Sequence, residues 1–190
     1  MTQYKLHFDD VTKGLEIAHQ WYSATQRLYE LWERDPMNLN NLLCVGTETW
    51  YCLLACDYDS LDPEQQRIIP SFEVDKLYEI LTIIFHYGER NFSENAIFNA
   101  YFGYMIRVMP YFFLDCAGDY VGWQNKGKKM VRSAYMQEPN NPFVRAIYFE
   151  QESYQSEEFD AACKLLWSEV SPSVWGDSEV PQYFLRILNG

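Results

Sequence analysis

Apolar positions recur at spacings of three and four along nearly the whole chain, the period of an amphipathic helix. Between residues 11 and 34 two such stripes run together. Leu15, Ala18, Tyr22, Tyr29 and Trp32 form one, and Ile17, Trp21, Ala24, Leu28 and Leu31 form the other. Two stripes on one helix predict burial on more than one side, as in a layer packed between neighbours. Pro36 ends the pattern, because proline disfavours helical geometry at the residue before it and has no N–H to donate.

The same period predicts a second helix over residues 39 to about 56, carrying Leu42, Leu43, Val45, Trp50, Leu53 and Leu54. Residues 57–63 are polar and acidic and read as a loop. Asp62 before Pro63 is an N-cap with proline at the first helical position, which predicts a short helix over 64–69. Ser71 then caps a helix running to residue 87 with Phe72, Leu77, Ile80, Leu81, Ile84 and Phe85, and Gly88 is placed to end it. Ser93 opens a further helix bearing Ile97, Tyr101, Tyr104, Met105 and Val108 before Pro110. Residues 111–135 read as one helix or two, since Gly118 and Gly122 weaken the middle.

Pro139 and Pro142 bracket a turn. Helix returns over residues 143 to about 153 and, behind a Ser156 cap, over 157–170; a connector at 172–176 precedes a closing helix over 181–188. No sustained alternating run bounded by hairpin turns supports strands. The fold class predicted is all-α: one domain over residues 1–190, built from antiparallel helical hairpins in an irregular repeat-like array or bundle of about eight or nine helices.

Charge and composition narrow the class of function. Asp and Glu number 27 against 15 Lys and Arg, a net −12, while hydrophobic residues make up 48% and aromatics 17%. That apolar fraction is enough to offset chain entropy, so general disorder is excluded. No apolar run approaches the roughly 20 residues of a membrane span. The five cysteines, Cys44, Cys52, Cys56, Cys116 and Cys163, are odd in number and lie in apolar segments. They read as buried thiols of a reducing compartment, and the expectation is a soluble cytoplasmic protein with no membrane contact.

Candidate chemistry is sparse. Cys52 and Cys56, four apart on a helix, share a face, but a tetrahedral zinc site needs two more ligands that no neighbouring His or Cys pair supplies. The run Asp57-Tyr58-Asp59-Ser60-Leu61-Asp62 has the acids of a calcium loop; Asp62 stands where its glycine belongs and Ile68 where its glutamate belongs. His7, His19 and His86 fall in no catalytic signature, and no nucleophile elbow, Walker loop or dinucleotide fingerprint occurs. The reading is of a chain that is not an enzyme and takes no cofactor or metal. Lys126, Lys128, Lys129 and Arg132, near Trp123, form the one basic cluster, read as a helix end or an internal partner for acidic groups rather than a nucleic-acid site.

The acidic groups are the candidate binding residues. Asp57, Asp59, Asp62 and Glu64 form one set; Glu150, Glu152, Glu157, Glu158 and Asp160, with Tyr154 among them, form another. Carboxylates interleaved with tyrosines match a basic, phosphate-seeking surface in charge and supply rigid contacts.

Two resemblances follow. Ala24, Leu28, Leu31 and Pro36 resemble the second helix of a tetratricopeptide repeat, and Val131, Ala134 and Pro139 match its last three positions. Phe143, Ala146 and Ile147, followed by Phe159, Ala161, Ala162 and Leu165, resemble a repeat pair, whereas residues 38–110 carry no repeat. The whole profile, small, acidic, aromatic-rich and helical, is similar in character to immunity proteins of contact-dependent and other polymorphic toxin systems. That similarity implies a non-enzymatic inhibitor that neutralises a basic, nuclease-type toxin domain by covering its active site. The alternative is a tetratricopeptide-like scaffold or adaptor that binds a peptide or protein partner.

Overall fold

The computed structural model describes residues 6–57, 71–114, 119–153, 156–169 and 179–188. Among them the chain forms nine α-helices, one short 3-10 helix and no strand. The helices are α1 (Asp10–Ile17), α2 (Trp21–Arg34), α3 (Leu39–Asp57), α4 (Ser71–Phe92), α5 (Ala96–Val108), the 3-10 helix η1 (Pro110–Phe113), α6 (Tyr120–Gln137), α7 (Pro142–Ser153), α8 (Glu157–Glu169) and α9 (Glu179–Ile187). The all-α class and the helix number agree with the hydrophobic period. The helix predicted over 64–69 lies outside the described residues.

Local chemistry sets most boundaries. Asp9 caps α1 by accepting from the amides of Val11 and Thr12. Asn95 does the same for Ile97 and Phe98 at the start of α5. The expected cap Ser93 sits two residues too early; its carbonyl instead accepts from the Asn99 side chain. Pro110 stops α5 and opens η1, and Asp119 caps α6, so the interval 111–135 resolves into two elements. Asn141 caps α7 with Pro142 at its first position, and the Ser156 hydroxyl accepts from the Phe159 amide at 3.1 Å to start α8.

Two expectations fail for tertiary reasons. The predicted helix over 11–34 is two helices, broken at Ala18–Gln20, where His19 adopts φ 54°. The break lets each half aim its own stripe: α2 buries Ala24, Thr25, Leu28 and Trp32, but α1 buries Thr12 and Glu16 and leaves Ile17 exposed. Gly88 does not end α4, which continues to Phe92. A β-carbon at Gly88 would lie 2.3 Å from the Phe98 ring, so the glycine is where α5 packs closely on α4.

Helix α5 is the axis of the molecule, buried at every residue from Ala96 to Ile106. On one side Trp50, Tyr101, Tyr104, Phe143, Tyr183 and Phe184 join α3, α5, α7 and α9, with ring centroids 4.5–6.4 Å apart. On the other, Phe85, Phe98, Phe102, Phe113 and Trp123 join α4, α5, η1 and α6. Each such ring is worth about 1.5–3 kcal/mol in burial, and edge-to-face pairs add roughly 0.5–1.5 kcal/mol. Much of the aromatic content therefore serves the core. Consecutive helices pack on one another from α1 to α4 and from α5 to α8, and α9 returns to α3.

Candidate functional site

Among the described residues, the acidic groups expected to bind a partner differ in burial and in their own partners. Glu150 on α7 is ion-paired with Arg107 on α5, and both side chains are under one-fifth exposed. Burial raises the Glu150 carboxyl above its ordinary range, with Arg107 partly offsetting this. The Arg107 guanidinium also sits 5.4 Å from the Tyr104 ring centroid. Glu150 thus ties α7 to α5 rather than facing solvent. Glu152 lies at the surface, where Gln151, Arg132 and Lys128 hold its carboxyl low.

Glu157, Glu158 and Asp160 are exposed in the first turn of α8. There they complement the positive end of the helix dipole, which accounts for them without a partner. Asp57 is the last residue of α3. Asp59, Asp62, Glu64 and Tyr154 lie outside the described residues. Tyr148 and Phe149, near the second acidic set, pack against Tyr135, and Tyr135 stacks on Tyr148 at 4.1 Å with 5° between planes.

The basic cluster on α6 is largely an internal counterpart. Lys126 Nζ lies 2.6 Å from Glu89 and packs over Trp123 and Phe85 at 4.4 and 4.7 Å, and Arg132 reaches Glu152 at 3.3 Å. Lys128 and Lys129 are exposed beside a hollow of about 260 Å³ between α6 and α7. Among the described residues no three His, Cys, Asp or Glu side chains converge to hold a metal ion, and no helix is long and apolar enough to cross a membrane.

A larger groove of about 400 Å³ lies between α2 and α4. Tyr22, Gln26, Tyr29 and Glu30 line it from α2; Lys76, Glu79, Ile80 and Ile83 line it from α4. The spacing explains the assembly: positions 22, 26, 29 and 30 share one face of α2, beside the buried face of Ala24, Leu28 and Trp32. Positions 76, 79, 80 and 83 share one face of α4 in the same way. Lys76 Nζ lies 6.0 Å from the Tyr22 centroid, and Glu30 pairs loosely with Arg34 at 3.7 Å.

Burial, then Glu33 and Glu79, raise the Tyr29 hydroxyl above its ordinary range, which keeps it protonated and able to donate. One turn farther along both helices Trp32 meets Tyr87 edge-on at 5.1 Å, and the Tyr87 hydroxyl contacts the exposed Met37 sulfur at 3.5 Å. The groove is therefore an aromatic and aliphatic trough whose charged lining is Glu30, Glu79 and Lys76, with Glu33 near enough to act on Tyr29. This is the tyrosine–carboxylate chemistry expected elsewhere. Its α2 half was visible as Tyr22 and Tyr29 in a helical stripe, but nothing local pairs them with residues 76–83.

The buried polar groups are concentrated elsewhere, under α1. Glu16 and Glu48 are 1% and 0% exposed, and Thr12, Thr25, Cys44 and Cys52 are buried too. The Cys52 thiol lies 3.7 Å from the Thr25 hydroxyl and 3.9 Å from Glu48. Cys44 donates to the His7 carbonyl at 3.7 Å. No protein-family model matches the sequence, and neither the curated proteins nor the solved structures yield a match.

Proposed function

We propose that the protein is a non-enzymatic inhibitor of the immunity type, which neutralises a basic, nuclease-type toxin domain by covering its active site. The observation that supports this reading is the α2–α4 groove, where Tyr22, Tyr29 and Ile83 lie beside Glu30 and Glu79, two carboxylates against the single cation Lys76. Tyr22 and Tyr29, both half-buried on α2 where it packs beside α4, lose little side-chain entropy on binding and make efficient anchors. Carboxylates at the rim attract a cationic partner and speed its approach, while the desolvated anchors slow its departure. Glu157, Glu158 and Asp160 form a second, smaller anionic patch on α8.

The test is co-purification of the tagged full chain with the product of the adjacent gene, followed by association kinetics across a range of salt. The expected result is a tight complex with a basic domain whose association slows steeply as salt rises. Capture of short extended peptides with micromolar affinity and little salt dependence would instead identify a tetratricopeptide-like scaffold. That outcome sinks the inhibitor reading.

A further inference from the structure

Helix α6 gathers cations in a chain that is short of them. Four of the 15 lysines and arginines, Lys126, Lys128, Lys129 and Arg132, fall within residues 126–132. Lys126 is engaged by Glu89 at 2.6 Å and lies over the Trp123 and Phe85 rings, and so serves the fold. Lys128 and Lys129 are exposed and have no carboxylate at ion-pair distance among the described residues. With Asn125 and Arg132 they line the hollow of about 260 Å³ between α6 and α7. Positions 125, 128, 129 and 132 follow the helical spacing, so one face of α6 supplies this whole wall.

The opposite wall is Gln151 and Glu152, in the last turn of α7. Arg132 reaches Glu152 at 3.3 Å, and the Gln151 amide nitrogen donates to the same carboxylate at 2.8 Å. That bond fixes which end of the amide is which, since a carboxylate needs a donor. The Gln151 oxygen is left buried with no hydrogen-bond partner among the described residues, a state that costs free energy until a donor meets it. The two walls therefore differ in chemistry. Three cations and an amide line the α6 side, while α7 offers an oxygen acceptor and one carboxylate at the negative end of its dipole.

We infer that the α6–α7 hollow binds a small phosphate monoester that also carries a hydroxyl, its phosphate held by Lys128, Lys129 and Arg132 and its hydroxyl donating to Gln151. Three cations against one carboxylate leave two positive charges in excess. A phosphate monoester, with a charge of about −1.5 to −2 at neutral pH, matches that excess; a carboxylate or a phosphate diester does not. The fork of Arg132 and the point charges of two lysines suit the phosphate oxygens. Size limits the rest of the molecule. A volume of about 260 Å³ falls just below the roughly 300–1,000 Å³ of sites for drug-sized ligands, so the occupant is compact. The inference stands apart from the inhibitor reading, which concerns α2 and α4.

Titration of the full chain with glycerol phosphate, inorganic phosphate and dimethyl phosphate, followed by calorimetry and amide chemical shifts, tests it. Glycerol phosphate should bind one to one with a dissociation constant of about 1 mM or tighter, shifting amides at 125–132 and 151–152. Dimethyl phosphate, a diester with a single charge, should bind at least about tenfold more weakly. Lys128→Gln combined with Lys129→Gln should weaken glycerol phosphate and inorganic phosphate alike by at least about tenfold, while Lys164→Gln on α8 changes neither. Gln151→Met should remove the advantage of glycerol phosphate over inorganic phosphate. No binding, equal affinity for the diester, or binding retained in the double variant overturns the inference. So does inorganic phosphate binding as tightly as glycerol phosphate, an advantage retained in Gln151→Met, or tighter binding of a single-stranded oligonucleotide at the same amides. The arms run on the wild type decide even if a variant does not fold.

Discussion

Gly103 of α5 and Gly127 of α6 meet backbone to backbone. A β-carbon on Gly127 would lie 2.7 Å from the Gly103 carbonyl oxygen and 2.6 Å from the Arg107 amide nitrogen, and one on Gly103 would lie 2.9 Å from the Gly127 carbonyl. Neither neighbour is a side chain that can swing away. Helices α5 and α6 therefore cross closer than ordinary side-chain packing permits, and this crossing places Val131 against Gly103 of the central helix. Gly127→Ala is expected to destabilise by about 1–3 kcal/mol, since overpacking outweighs the gain in helix propensity. Gly14→Ala on α1, where a β-carbon meets nothing within 4 Å, is expected to stabilise by about 0.5–1 kcal/mol. Urea unfolding of the two variants measures both signs.

Arg107→Met removes the cation beside Glu150 and leaves a part-buried carboxylate without it. Because burial already raises Glu150 in the wild type, its contribution to stability is full below about pH 4.5 and declines as pH rises through the folded value. Loss of Arg107 moves that folded value higher. The variant should lose about 2–3 kcal/mol near neutral pH and much less in acid. Adding Glu150→Gln to it should recover most of the loss; thermal unfolding across pH follows both.

Asp9 carries the opposite sign. Burial opposes its charge, but the Thr12 amide, Arg27 and the Val11 amide together hold it below its ordinary 3.8. Its stabilisation is present above that value and is lost as pH falls through the lower folded one. Asp9→Ala should cost about 1 kcal/mol at neutral pH, the usual worth of a cap, and almost nothing at about pH 2. Exchange at α1 amides should show the loss first.

Under the proposed inhibitor function the two anionic faces make different demands on a partner. Tyr29→Ala should raise the dissociation rate at least about tenfold, and Glu79→Lys should slow association and flatten its salt dependence. If α8 is the contact instead, reversing Glu157, Glu158 and Asp160 to lysine will produce the association defect and Glu79→Lys will not. Surface plasmon resonance with the co-purified domain separates the two.

Thiol reactivity checks the packing independently. Cys163 is pushed up to about 11 by burial and by Asp160, and Cys44 and Cys52 are buried and raised. Cys56 is only partly buried. Brief alkylation at neutral pH, resolved by peptide mass, should therefore modify Cys56 well before Cys44, Cys52 and Cys163.

Helices, turns and several caps were legible because their signals are local. Pro36, Pro110 and Pro142 act within a residue or two of themselves, and the Ser156 hydroxyl reaches only three residues ahead. Gly88 shows the limit: the same residue reads as a helix end or as a packing site, and the choice rests on Phe98 from the next helix. The break at His19 was hidden in the same way, since the α1 stripe that counts is Thr12 and Glu16, which hydropathy scores as solvent-facing.

The sequence by itself determined an all-helical chain with ample core and a surplus of carboxylates, because period, proline placement and charge are properties of short stretches or of the sum. Which carboxylates remain at the surface was a tertiary decision. Glu150 is withdrawn by an arginine 43 residues away and Glu48 is sealed beneath α1, while Glu30 and Glu79 are brought to opposite walls of one groove. A side chain's charge is written in the sequence, but its hydration and its partner are set by helices that meet only when the chain has packed.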